Sequence, residues 1–178
     1  GHWLAKRLDH RWISVALPAL LVCVWIAWGF HLSADIVNPI TTLVTPADLR
    51  ALAWVEENTP EDARFFINTT HGLGGVYRGG DGVGWLLPYT GRWSLVPTVF
   101  YGFSQDSEYR TQIREWGARA SEITGCSEEF WVLVEEAELD WVYLSQNIDS
   151  LNIKAFENCQ ELTLAYTNGK NYVYKILR

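Results

Sequence analysis

Side chains suited to acid–base and anion chemistry gather in one short stretch. His71, Arg78 and Asp81 lie within "THGLGGVYRGGDGVG", residues 70–84, and Arg92 follows in "YTGRWS". An imidazole and a carboxylate are candidate acid and base. Two guanidiniums are candidate clamps for a phosphate or carboxylate. The same residue types serve equally as loop groups tied by structural hydrogen bonds, and Arg92 as a turn residue paired with an acidic neighbour. The seven glycines of this stretch suggest a phosphate cradle. However, GxxxxGK[ST] is absent, and the GxGxxG spacing does not run cleanly into a helix. The glycines equally suit a loop lying flat on a membrane or against other parts of a larger protein. There is no GxSxG nucleophile turn. There is also no CxxC and no paired histidines, so no metal site and no cofactor is expected in this chain.

The elements that must hold these residues are legible on either side. Thr45-Pro46-Ala47-Asp48 opens a helix, with a capping threonine, a proline at the first turn and a returning carboxylate. Leu49, Leu52 and Val55 make its buried stripe, and Asn58-Thr59-Pro60 ends it. Ala63 to Asn68, carrying Phe65, Phe66 and Ile67, reads as a strand buried on both faces. Residues 70–84 read as a loop without regular structure. Trp93 to Val99 reads as a second strand, interrupted by Pro97. Tyr109, Ile113, Trp116, Ala120 and Ile123 recur at helical steps before Gly125. Ser127 opens a shorter helix with Phe130, Leu133, Val134 and Ala137 on one side. "WVYLS" at 141–145 is a third strand. The alternating "LTLAYTNGKNYVYKIL" turns at Asn168-Gly169 as a hairpin. Strands separated by helices, then a terminal hairpin, predict an α/β layered fold with a mixed sheet.

The N-terminal part is of another kind. Trp12 to Leu32 holds no ionisable side chain except His31 and Cys23, and its 21 residues suffice to cross a hydrocarbon core of about 30 Å. Trp12 marks one edge, and Trp25 and Trp28 lie toward the other. Pro18 is tolerable in a membrane helix. A buried soluble helix or a signal peptide would have a shorter apolar run. Lys6, Arg7 and Arg11 precede the span, and the next basic residue after it is Arg50. The expected layout is a cytoplasmic flank at 1–11, a transmembrane helix at 12–32, a linker at 33–44 and an α/β domain at 45–178 outside the cytoplasm.

Composition narrows the partners. The 178 residues carry a net charge of −7, which argues against nucleic-acid binding. The chain holds no Met, hence no initiator, and is expected to be a piece of a longer polypeptide. Cys23 sits within the span. Cys126 and Cys159 each follow a helical stretch, and in an oxidising compartment such a pair bonds. Two free buried thiols are the alternative. Asn68-Thr69-Thr70 fits the N-glycosylation triplet, a pattern common by chance.

The order of parts resembles the C-terminal end of polytopic GT-C-type membrane glycosyltransferases. The resemblance covers residues 12–178 and rests on "LRALAWVEENTPEDA" after a last membrane helix, the glycine loop, "LLPYTGRWSLVP", "LDWVYLS" and "LAYTNGKNYVYKIL". It implies sugar transfer from a lipid-phosphate donor, with a divalent metal in some members. The family's catalytic carboxylates sit in an early loop that has no counterpart here. The oligosaccharyltransferase branch carries WWDYG where this chain reads Asn68-Thr69-Thr70-His71-Gly72, which argues against peptide-sequon recognition. The expectation is an accessory domain, not catalytic alone, whose glycine loop closes over a lipid-linked substrate with His71, Arg78, Asp81 and Arg92. Expected partners are the bilayer, a lipid-linked sugar and other membrane helices. The competing expectation is a single-span interaction or assembly subunit without chemistry.

Overall fold

A computed structural model describes residues 10–34, 44–146 and 153–177. Two units make up the chain, 1–42 and 43–178. Residues 1–9 of the basic flank and most of the linker lie outside the described residues.

In the first unit, helix α1 spans His10–Ala34 and contains Pro18. Its stretch Val15–Ser33 is long and apolar enough to cross a membrane, and none of it is buried.

The second unit is a three-layer α/β/α arrangement. Helix α2 (Pro46–Asn58) begins with the expected capping box. The Thr45 N–H donates to Asp48 Oδ2 at 2.7 Å, and the Asp48 N–H donates to Thr45 Oγ1 at 3.3 Å. Strand β1 is Arg64–Ile67. Strands β2 (Thr69–His71) and β3 (Tyr77–Gly79) form a separate antiparallel pair. Next come helix α3 (Leu86–Thr90) and strand β4 (Trp93–Ser94). Helices α4 (Ser107–Glu122) and α5 (Glu128–Glu136) are capped by the side chains of Asp106 and Ser127. Strand β5 is Trp141–Ser145, helix α6 is Ile153–Glu157, and β6 (Leu162–Thr167) and β7 (Asn171–Ile176) complete the domain.

The main sheet runs β4-β1-β5-β7-β6. β1 pairs in parallel with both β4 and β5, while β7 is antiparallel to both its neighbours. The sheet is therefore mixed, as the sequence predicts. Side chains alternate across it. Phe65, Ile67, Trp141, Tyr143 and Val173 pack with Leu52 and Val55 of α2. Phe66, Val142, Leu144, Tyr174 and Ile176 pack with Ile113, Phe130, Leu133 and Phe156 of the other helical layer. Burial on both faces explains why β1 and β5 read as unbroken apolar runs.

Three expectations need correction. Leu49 is 44% exposed, and Ala51 occupies the buried stripe with Leu52 and Val55. At about 100° per residue, the seam through 48, 51, 52 and 55 leaves 49 on the solvent side. Residues 70–84 are partly regular, since β2 and β3 pair across them. Glycine permits this, because Gly74 and Gly75 take φ near +72° in the turn. Strand β4 stops at Ser94, short of the expected Val99.

Cys126 and Cys159 form a disulfide with Cα atoms 6.2 Å apart. It ties the α4–α5 corner to the end of α6. Gly125 makes the approach possible, since a Cβ there would lie 2.8 Å from that of Ala155. Arg119 on α4 also pairs with Glu129 and Glu136 of α5.

Candidate functional site

The parallel strands end on one edge of the sheet, at Ile67 of β1 and Ser145 of β5. β4 and β5 lie on opposite sides of β1, so chain connections diverge there, the place where open α/β sheets form crevices. Asn68 closes this edge. Its amide donates to the Ser145 carbonyl and accepts from the Ser145 N–H, both at 3.1 Å, prolonging the ladder past β1. Asn68 is buried, so the glycosylation triplet is engaged inside the fold.

Directly beyond Asn68, the β2–β3 pair places His71 and Arg78 on one cavity of about 770 Å³. Gly72, Gly74, Val76, Val99, Gly102, Phe103 and Arg114 complete its lining. Arg114 comes from α4. That helix approaches the pair closely because Gly117 faces Tyr77, where a Cβ would come within 2.5 Å of the Tyr77 Cβ. The His71 ring meets Tyr77 edge-on at 5.3 Å between centroids. The Tyr77 N–H donates to the Tyr101 hydroxyl at 2.8 Å, fixing the turn Val99–Phe103 over the hairpin. Among the described side chains, no carboxylate lines the cavity. A lining of two guanidiniums, an imidazole and apolar walls suits an anionic group carried on an apolar body.

Three of the four sequence candidates have described side chains, and they do not all meet. His71 and Arg78 meet at the cavity. Asp81 opens a 3-10 turn at Asp81–Trp85, and its side chain lies outside the described part of the structure. Arg92 lies elsewhere. Its guanidinium donates to the carbonyls of Thr90 at 2.7 Å, Glu56 at 2.8 Å and Thr59 at 2.9 Å. It thereby satisfies backbone acceptors at the C-terminal end of α2. Arg114 was missed from the sequence, since on a helix that carries Arg110, Arg114 and Arg119 nothing local marks it out. The signal that would have found it is the single Gly117 one turn later on an otherwise glycine-free helix. Among the described residues no three His, Cys, Asp or Glu side chains converge as a metal set.

No family model and no curated protein matches the chain. Among solved structures it is similar to the C-terminal globular domain of oligosaccharyltransferase from Archaeoglobus fulgidus, at 16% identity and a TM-score of 0.45. That match covers 75% of this chain and 98% of the other.

Proposed function

We propose that this chain is an accessory domain of an integral-membrane glycosyltransferase that uses a lipid-phosphate-linked sugar donor. In this reading α1 crosses the membrane, the α/β domain lies outside the cytoplasm, and the His71–Arg78–Arg114 cavity receives the phosphate end of the lipid carrier. The main carboxylates of the reaction belong to another part of the transferase. The observation that carries the reading is the convergence of two guanidiniums and an imidazole on a largely apolar cavity. Guanidinium forks match phosphate oxygens in pairs, and Val76, Val99 and Phe103 offer contact to the first carbons of the carrier. The reaction class comes from the sequence resemblance, and the cavity supports it by its chemistry.

The test is direct. The full chain in detergent is titrated with a short-chain alkyl phosphate and with the corresponding alcohol. The phosphate binds and the alcohol does not compete. In the double variant Arg78→Ala with Arg114→Ala, phosphate affinity falls by about ten- to a hundredfold, the worth of one or two charge-assisted hydrogen bonds. Equal affinity in wild type and variant removes the proposed site, and no binding by the wild type favours the competing reading, an anchored interaction subunit without a ligand.

A further inference from the structure

The turn Val99–Phe103 presents its aromatic side chains in an unusual way. Tyr101 is buried, while its neighbours Phe100 and Phe103 are 72% and 81% exposed. The exposure is enforced from beneath. The Tyr101 hydroxyl holds the Tyr77 N–H, the Tyr101 N–H donates to the Thr98 carbonyl at 3.1 Å, and the Ser104 N–H donates to the Tyr101 carbonyl at 3.0 Å. Arg110 donates to the Ser104 carbonyl as well. The two phenyl rings therefore cannot fold inward without breaking the turn. The patch extends through Val99, which shares a small crevice with Trp85 and Arg78, and Tyr89 lies one helical turn beyond Trp85. All of these side chains stand out from the surface. An apolar patch of this kind marks a binding face.

The chemistry around the patch identifies what covers it. Exposed Trp, Tyr and Phe beside arginine are the residues of a membrane–water interface. Arg78 and Arg114 border the patch, and among the described side chains no carboxylate lines the cavity or the crevice. Glu108 and Glu115 of α4 line a different groove. Only eight residues, 35–42, lie in sequence between this unit and a helix apolar enough to span a bilayer, so anchoring keeps the local concentration of lipid surface high. We propose that the turn Val99–Phe103 together with Trp85 is an interfacial docking face, with Phe100 and Phe103 seated in the bilayer at headgroup depth. This rests on the membrane placement in the proposed function and is independent of the phosphate site.

The experiment uses the full chain with Cys23→Ser, in nanodiscs of phosphatidylcholine with and without phosphatidylglycerol. An environment-sensitive dye is placed on Phe103→Cys, or on Thr163→Cys at the exposed β6 strand as reference. The dye at 103 emits as in an apolar medium and is quenched several-fold more by lipid-borne nitroxide near the headgroup than the dye at 163. Adding Phe100→Glu, with unchanged far-UV circular dichroism, abolishes that difference. Equal quenching of both dyes by aqueous iodide overturns the proposal. Protection of the dye at 103 from iodide without lipid quenching also overturns it, and assigns the face to a protein partner or a second copy. Titrating the same samples with alkyl phosphate keeps the two proposals apart. Phosphate affinity without lipid contact removes only the docking face, and lipid contact without phosphate affinity removes only the ligand site.

Discussion

At the scale of single residues, the arginines divide by what their forks can reach. Arg92 donates to three backbone carbonyls, and those bonds fall on the end of α2 and the turn beside it. Arg92→Ala is expected to cost about 2–4 kcal/mol in urea unfolding, because partly buried acceptors lose their donor. Arg92→Lys will not restore it, since an ammonium cannot reproduce the planar fork. Alkyl phosphate affinity stays at the wild-type value in both variants. A drop in affinity with unchanged stability would instead return Arg92 to the ligand. From sequence, Arg78 and Arg92 looked alike, each a cation near glycines. Only the folded path of α2 distinguishes them, because the carbonyls that occupy Arg92 lie 33 and 36 residues away.

At the scale of elements, legibility followed the strength of local rules. "WVYLS" needed nothing beyond its own apolar run, and it is β5 over the same five residues. Thr45 and Asp48 marked the start of α2 because a capping box is chemistry within four residues. The Asn168-Gly169 hairpin was plain as well, with Gly169 at φ 83°. The strands β2 and β3 were not visible, because three-residue strands set among glycines carry too little pattern to be read. They exist through packing on α4 and through Gly79, where a Cβ would stand 2.7 Å from the Gly84 Cα. The disulfide acts at this scale too. It closes a separation of 33 residues that encloses α5, β5 and α6. Its reduction is expected to lower stability by about 3–4 kcal/mol. Urea midpoints with and without reductant read this directly, and coincident curves would refute it.

At the scale of the whole molecule, the two-sided core sets the response to pH. Burial first, then the nearby Glu157 and Tyr172, push the Tyr174 hydroxyl up to about 12. Burial likewise raises Tyr143 and Tyr109 above the ordinary value. A tyrosine whose folded value is raised favours the folded state while protonated. That contribution is complete below about pH 10, the unfolded value, and is lost as pH climbs toward 12. Melting temperature should therefore stay level through neutral pH and fall steeply between about pH 10 and 12. The Tyr174 hydroxyl has no hydrogen-bond partner among the described residues. Tyr174→Phe should thus leave neutral stability intact and flatten the alkaline fall. An unchanged alkaline slope in that variant would sink the assignment.

The amide of Asn68 also has a consequence for how the chain is made. Its two bonds to Ser145 join residues 77 apart in sequence, so the amide is free until most of the domain has been synthesised. On the proposed placement outside the cytoplasm, in a host that glycosylates Asn-X-Thr during translocation, sugar attachment and strand closure compete for one nitrogen. A glycan that arrives first leaves no room at the end of β1, and that molecule cannot reach this fold. Heterologous production then becomes a matter of timing, and a bacterial host avoids the contest.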